Sequence, residues 1–260
     1  MLVDAHCHLD PELRAPELIA AMDRGGVDAA VLIAAAQAPI GPIPRAGVRL
    51  FTGCMHVPLV RMKLYAIARR SRTLRPHLRP DNDGVFDAAS RNRRFIPFAF
   101  VNPMLGAESH DELDHRISQG ARGVKLHAWL HDFRLPQAMS ILKRCEQHDL
   151  PVLVHLGFGP ASDVAAVLEE CPTLRLIVAH AGIPHFGALW KLDRVLFDTA
   201  ATGQLISQRM VRRLVDAVGR DRVVFGSDAP IGLRARSGHE YRPPPLPDAA
   251  MGANLLRVLE

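Results

Sequence analysis

At 260 residues, 48% of them hydrophobic and with a mean hydropathy of +0.04, the chain holds enough apolar material for one large soluble domain, 1–260. No apolar run reaches the roughly 20 residues of a membrane span; the chain opens straight into a strand without a basic, apolar leader, and Cys7, Cys54, Cys145 and Cys171 lack CxxC spacing, so buried thiols in a reducing, cytoplasmic setting are expected. The net charge is +5, with arginine supplying 28 of the 32 basic residues, and few aromatics are interleaved with them, which disfavours a single-strand-binding surface.

Short apolar runs alternate with helix-like stretches along the chain. The first strand, 2–7, leads through Val3-Asp-Ala-His6-Cys7-His8 and is followed by a helix over 15–24 that Gly25-Gly26 closes. Strand 28–34 opens onto a long connection, 36–94, with a helix over 55–71; Arg61–Arg79 holds seven charged side chains, all positive, and Arg91, Arg93 and Arg94 follow. That basic run reads as a solvated surface or as attraction for an anionic substrate or partner. Strand 95–101, helix 108–119, strand 122–127, helix 136–148, strand 151–156 and helix 162–170 come next. Strand 174–180, helix 186–191, strand 194–198, helix 204–218 and strand 222–227 follow, then a second long connection, 229–247, with Arg234, Arg236, Arg242 and Pro243-Pro244-Pro245, and a last helix, 247–259.

Eight strands alternating with eight helices predict an α/β fold, a single (β/α)8 TIM barrel with long βα-loops after strands 2 and 8. A doubly wound open sheet is the alternative, but no glycine-rich phosphate loop follows the first strand. In a barrel, loops of that length lie over the active-site face as lids or substrate walls.

Several strands end in residues able to bind a metal. His6 and His8 are two apart, so a strand turns both imidazoles to one side and Cys7 to the other. Pro151-Val-Leu-Val-His155 and Leu176-Ile-Val-Ala-His180 each finish an apolar run in histidine, and Val223-Val-Phe-Gly-Ser-Asp228 finishes in a carboxylate. Gly123-Val-Lys125-Leu-His127 puts a lysine and a histidine on one face, where a buried ammonium without a partner is costly. The C-terminal strand ends of a barrel surround one axis, so these residues converge.

This order of motifs, Asp4-x-His6-x-His8, Lys125-Leu-His127, Val-His155, Ala-His180-Ala-Gly and Gly-Ser-Asp228, resembles the amidohydrolase superfamily, and within it the amidohydrolase-related (amidohydrolase-2) metal-dependent hydrolases. The likeness spans nearly the whole chain and does not specify a substrate. It implies a divalent metal, one or two ions, zinc first with manganese or iron as alternatives. His6 and His8 would bind one ion with Asp228, and His155 and His180 would bind a second or polarise substrate. Lys125 falls where dihydroorotase-like members have a carboxylated lysine bridging two ions. His127 would contact substrate, Asp228 would shuttle a proton, and His180 would act in catalysis. Asp4 and Ser227 are candidates for orienting the ligands.

The resulting expectation is hydrolysis of an amide, lactone or other ester by metal-activated water, the substrate a small molecule, with an anionic one among the options. Non-oxidative decarboxylation, known in the same group, is the alternative; few aromatics near the expected site weigh against it. A TatD-like nuclease is a further alternative, but those carry a glutamate at the strand-four metal position where this chain has Lys125. No membrane partner is expected, nucleic acid is disfavoured, and a homo-oligomer is left open.

Overall fold

Eight short apolar segments pair side by side, each parallel to the next, in the order in which the chain makes them. The computed structural model describes residues 1–11, 13–38, 60, 63, 66, 67, 75–202, 205–230, 234, 235, 238, 239, 241 and 243–260. The strands are β1 (Val3–Leu9), β2 (Ala29–Ala34), β3 (Phe95–Phe100), β4 (Gly123–His127), β5 (Val152–His155), β6 (Leu176–Val178), β7 (Val195–Asp198) and β8 (Val223–Val224). Each lies within or beside a segment expected to be a strand. Runs such as Val152-Leu-Val are apolar at every position because both faces are covered, one by the barrel interior and one by helices.

The seam between first and last strand is closed by backbone hydrogen bonds. Ala5 N–H donates to Phe225 O at 2.8 Å, Asp228 N–H to His6 O at 2.7 Å and His8 N–H to Ala229 O at 2.9 Å. The architecture is therefore a (β/α)8 barrel and not the open doubly wound sheet. In β1 the pairing with β2 shifts register between Asp4 and Cys7, which marks a bulge.

Helices lie between the strands: α1 (Ala15–Gly25), α2 (Asn82–Arg91), α3 (Ala107–Ser118), the single turn α4 (Ala128–His131), α5 (Met139–Gln147), α6 (Ser162–Glu170), α7 (Gln208–Val218) and α8 (Ala253–Leu259). The segment 186–191, expected to be helical, forms only a 3-10 turn over Phe186–Ala188. The expected helix over 55–71 and Cys54 lie almost wholly outside the described residues, as do Arg236 and Arg242.

Helix α2 was not expected within the long connection 36–94. It is polar overall, but Val85, Phe86 and Ala88 face the core, and Asp81 caps its start by accepting from Gly84 N–H at 3.3 Å. Its buried Asn82 behaves like a neighbouring strand: its amide donates to Phe100 O at 3.0 Å and accepts from Phe100 N–H at 2.8 Å. Three of the described arginines of the basic region are paired with acids, Arg79 with Glu108, Arg91 with Asp87 and Arg94 with Asp23.

The floor of the barrel depends on one small residue. Gly123 sits opposite Phe98 in the β3–β4 register, and a Cβ there would lie 2.4 Å from the Phe98 ring. The ring fills the volume a side chain would take. Gly123→Ala is expected to destabilise the protein by about 1–3 kcal/mol through overpacking, read as a lower midpoint of urea unfolding. Combining it with Phe98→Leu should recover part of the loss.

Candidate metal centre

Several strand ends bring one or two polar side chains to the mouth of the barrel, and the backbone fixes how each one points. His6 Nδ1–H donates to Asp198 Oδ2 at 2.8 Å, His8 Nδ1–H donates to Ala34 O at 2.7 Å, and His180 Nδ1–H donates to Ala200 O at 3.0 Å. With the Nδ1 proton committed, each ring keeps an unprotonated Nε2. His6 Nε2 and His8 Nε2 then face one another at 3.2 Å, with Asp228 Oδ1 at 3.5 and 3.6 Å from them. Two lone pairs that close, beside a carboxylate oxygen, repel unless a cation lies among them.

These spacings suit one. Nitrogen and oxygen ligands about 2.0–2.2 Å from a tetrahedral ion stand roughly 3.3–3.5 Å apart. His6, His8 and Asp228 are buried and place one ligand atom each within 4.8 Å of the others, the single such group among the described residues. The donor set fits a divalent cation.

Electrostatics point the same way. Burial holds His6, His127 and His155 well below the usual histidine range, brings His8 to about 4 and lowers His180 too, with neighbouring cationic groups such as Lys125 adding to the shift. The imidazoles are thus neutral and able to ligate. Burial also raises the carboxyls of Asp198 and Asp228 above their ordinary range, so both gain from a nearby positive charge.

The other expected site residues surround this cluster. His155 meets His180 edge-on at 4.7 Å between ring centres and stacks on His127 at 4.1 Å. Neither His155 nor His180 is within the tight group of ligand atoms. His127 Nδ1 accepts from Leu130 N–H at 3.3 Å, which starts the turn α4. Lys125, fully buried, donates from Nζ to His6 Nε2 at 3.0 Å, which puts its side chain in direct contact with the cluster. Asp4 does not touch an imidazole; it accepts from Ser227 Oγ at 2.6 Å, Ser227 N–H at 2.9 Å and His6 N–H at 3.0 Å, tying the two ligand-bearing segments together.

Two features went unforeseen. Asp198, at the end of β7, orients His6 and also accepts from His180 N–H at 2.6 Å. Its signal was in plain view, since Val-Leu-Phe-Asp198 is an apolar run ending in a carboxylate, as β8's extension is. The aromatic content of the site is also higher than expected: Phe100 and Trp129 flank His127 at 6.5 and 6.2 Å, and Trp129 stacks on His155 at 5.9 Å.

Local backbone is bent to serve this arrangement. His180 and Asp228 have φ of 54° and 59°, the left-handed region that costs a side-chain-bearing residue roughly 1–2 kcal/mol. Asp198 on His180 N–H and His6 O on Asp228 N–H hold them there. Gly226 lets the two segments approach, since a Cβ on it would stand 3.0 Å from the Cβ of His6.

Comparison with known proteins agrees with this geometry. The model of the amidohydrolase family (Amidohydro_2) matches residues 3–242. No curated protein sequence matches the chain. Among solved structures, apo IDCase from Metarhizium anisopliae is similar with a TM-score of 0.63 and 15% identity, over 100% of this chain and 97% of that one. A probable 2-pyrone-4,6-dicarboxylic acid hydrolase from Acinetobacter baumannii, with citric acid bound, gives 0.57 and 14% over 99% and 92%. A dihydroxybenzoic acid decarboxylase from Polaromonas, with bound manganese and 2-nitroresorcinol, gives 0.57 and 12% over 99% and 96%. At these identities the likeness establishes the fold.

Asp198→Asn should weaken binding of Zn²⁺ or Mn²⁺ by about 10–100-fold, because the partner that orients His6 loses its charge. Competition with a chromogenic chelator measures this, with far-UV circular dichroism expected to stay unchanged.

Proposed function

This chain belongs to the amidohydrolase family, and on that footing we propose that it is a metal-dependent hydrolase opening an amide, lactone or other ester of an anionic small molecule. The whole chain, 1–260, acts as one barrel domain, and the cytoplasm is its proposed location. The observation that carries the reading is the convergence of His6 Nε2, His8 Nε2 and Asp228 Oδ1 on one buried space at the mouth of the barrel. His6, His8 and Asp228 would hold the ion, with His155 and His180 beside it and room for a second. Zinc suits imidazole and carboxylate together, with manganese or iron as alternatives.

Such an ion lowers the pKa of water toward about 7 and polarises a carbonyl. Asp228 would take the proton of the attacking water and return it to the leaving group. His180, its Nδ1–H held by Ala200 O, would stabilise the oxygen on which charge develops once its Nε2 has also taken up a proton. His127, stacked on His155, forms a wall against which substrate rests. A cavity of about 360 Å³ lies beyond the ends of β4 and β5, lined by Ala128, Phe133, Arg134, Phe158 and Gly159 among others and by none of the proposed ligands.

A second reading, non-oxidative decarboxylation, is favoured by the flat wall of Phe100, His127, His155 and Trp129, which suits a planar ring. Several similar structures are decarboxylases by name. The nuclease alternative gains nothing from Arg79, Arg91 and Arg94, each of which is paired with an acid.

Chelation should abolish turnover of any substrate found by profiling small carboxylated lactones, amides and aromatic acids, and Zn²⁺ or Mn²⁺ should restore it; full activity in metal-free protein contradicts the reading. Reaction in H₂¹⁸O separates the two chemistries, since hydrolysis places the label in the product and decarboxylation releases CO₂ without it. His6→Ala combined with His8→Ala should lose bound metal while keeping the circular dichroism of an α/β protein.

A further inference from the structure

Lys125 is the one residue of the cluster whose hydrogen bond conflicts with its neighbours' readiness to bind a cation. It stands in the middle of β4, fully buried, with Nζ 3.0 Å from His6 Nε2. Among the described residues that nitrogen is the hydrogen-bond acceptor recorded for it. The other ring nitrogen of His6 is engaged with Asp198, so Nε2 has a single lone pair to give. That lone pair serves the ammonium of Lys125 or a divalent cation, and never both at once.

A cation on His6 therefore frees Lys125 inside a space its buried stem prevents it from leaving. An ammonium there, without an acceptor and close to another positive charge, is costly. Asp198 is already engaged by His6, His180 and Ala200 N–H. Asp228, the other carboxylate acting on Lys125, would be a ligand of the cation, so an anionic group of the substrate would supply the missing acceptor. On the same face of β4, two residues further on, His127 adds its ring to the flat wall beside this position.

We propose that Lys125 binds the anionic group of the substrate, a carboxylate carried next to a flat moiety, and that it and the cation occupy His6 Nε2 in turn. The proposal rests on the metal-dependent reading above. Metal and anion then bind with positive cooperativity, because each removes a cost the other would meet alone.

Titration of the metal-free protein with Mn²⁺, followed by the electron paramagnetic resonance of the free ion, tests this with benzoate as the probe. Wild-type protein should bind Mn²⁺ about tenfold tighter or more in saturating benzoate. Lys125→Met should bind Mn²⁺ alone more tightly than wild type and lose most of the benzoate effect. Should methionine unsettle the barrel, as circular dichroism would reveal, Lys125→Gln provides the same comparison with a neutral donor. An unchanged benzoate effect in these variants, or Mn²⁺ affinity no higher than wild type, overturns the proposal. So does an intact mass showing CO₂ added at Lys125, since that side chain would then accept rather than donate. Mn²⁺ binding without any benzoate effect removes this proposal alone; no Mn²⁺ binding in any variant removes the metal-dependent reading with it.

Discussion

The site exists because the barrel closes. His6 and His8 lie near the start of the chain and Asp228 near its end, and hydrogen bonds across the β1–β8 seam bring them together. Asp4 and Ser227, 223 residues apart, join through two hydrogen bonds one position from Asp228 and two from His6. Each buried hydrogen bond adds only about 1 kcal/mol net, or somewhat more to a charged group, but leaving one partner unmatched costs more. The seam therefore specifies position more than it adds stability.

The ligating and orienting groups inside the mouth are polar and out of water, an arrangement that is stable only if each of them has a partner. The histidines meet this by giving their Nδ1 protons to Asp198, Ala34 O and Ala200 O, acceptors that the fold supplies at the strand ends. What remains is a set of lone pairs and carboxylates aimed at one space, with Lys125 as the cationic side chain set among them. The left-handed backbone of His180 and Asp228 adds to the cost and is sustained by the same hydrogen bonds. Stability and readiness for a cation thus come from one network, an instance of strain concentrating where function does.

Much of this was legible in the residues. Parallel strands covered on both faces must be apolar throughout, so all eight stood out, and the histidines and aspartate that end them broke the pattern visibly. Helix α2 hid because its anchoring residue is Asn82, whose contribution is a pair of hydrogen bonds to Phe100 that no hydropathy reading reports. Asp198 was overlooked although it follows the same rule as Asp228; only the fold reveals that it faces His6. The aromatic wall is assembled from β3 and the turn after β4, close in space and separated in sequence, so counting aromatics near the histidines underestimated it. The role of Lys125 could not be read from alternation, which gives a side and not a partner.

The bulge in β1 has a further meaning for how such a strand can change over time. In an unbroken strand Asp4, His6 and His8 would share one alternation, and a residue gained or lost would swap every later side chain between interior and exterior. With the register slipping between Asp4 and Cys7, the two halves keep separate parity. The upstream half can answer to Ser227 through Asp4 while the downstream half answers to the mouth through His6 and His8. One surplus residue lets a seven-residue strand be edited on either side without the two duties having to move together.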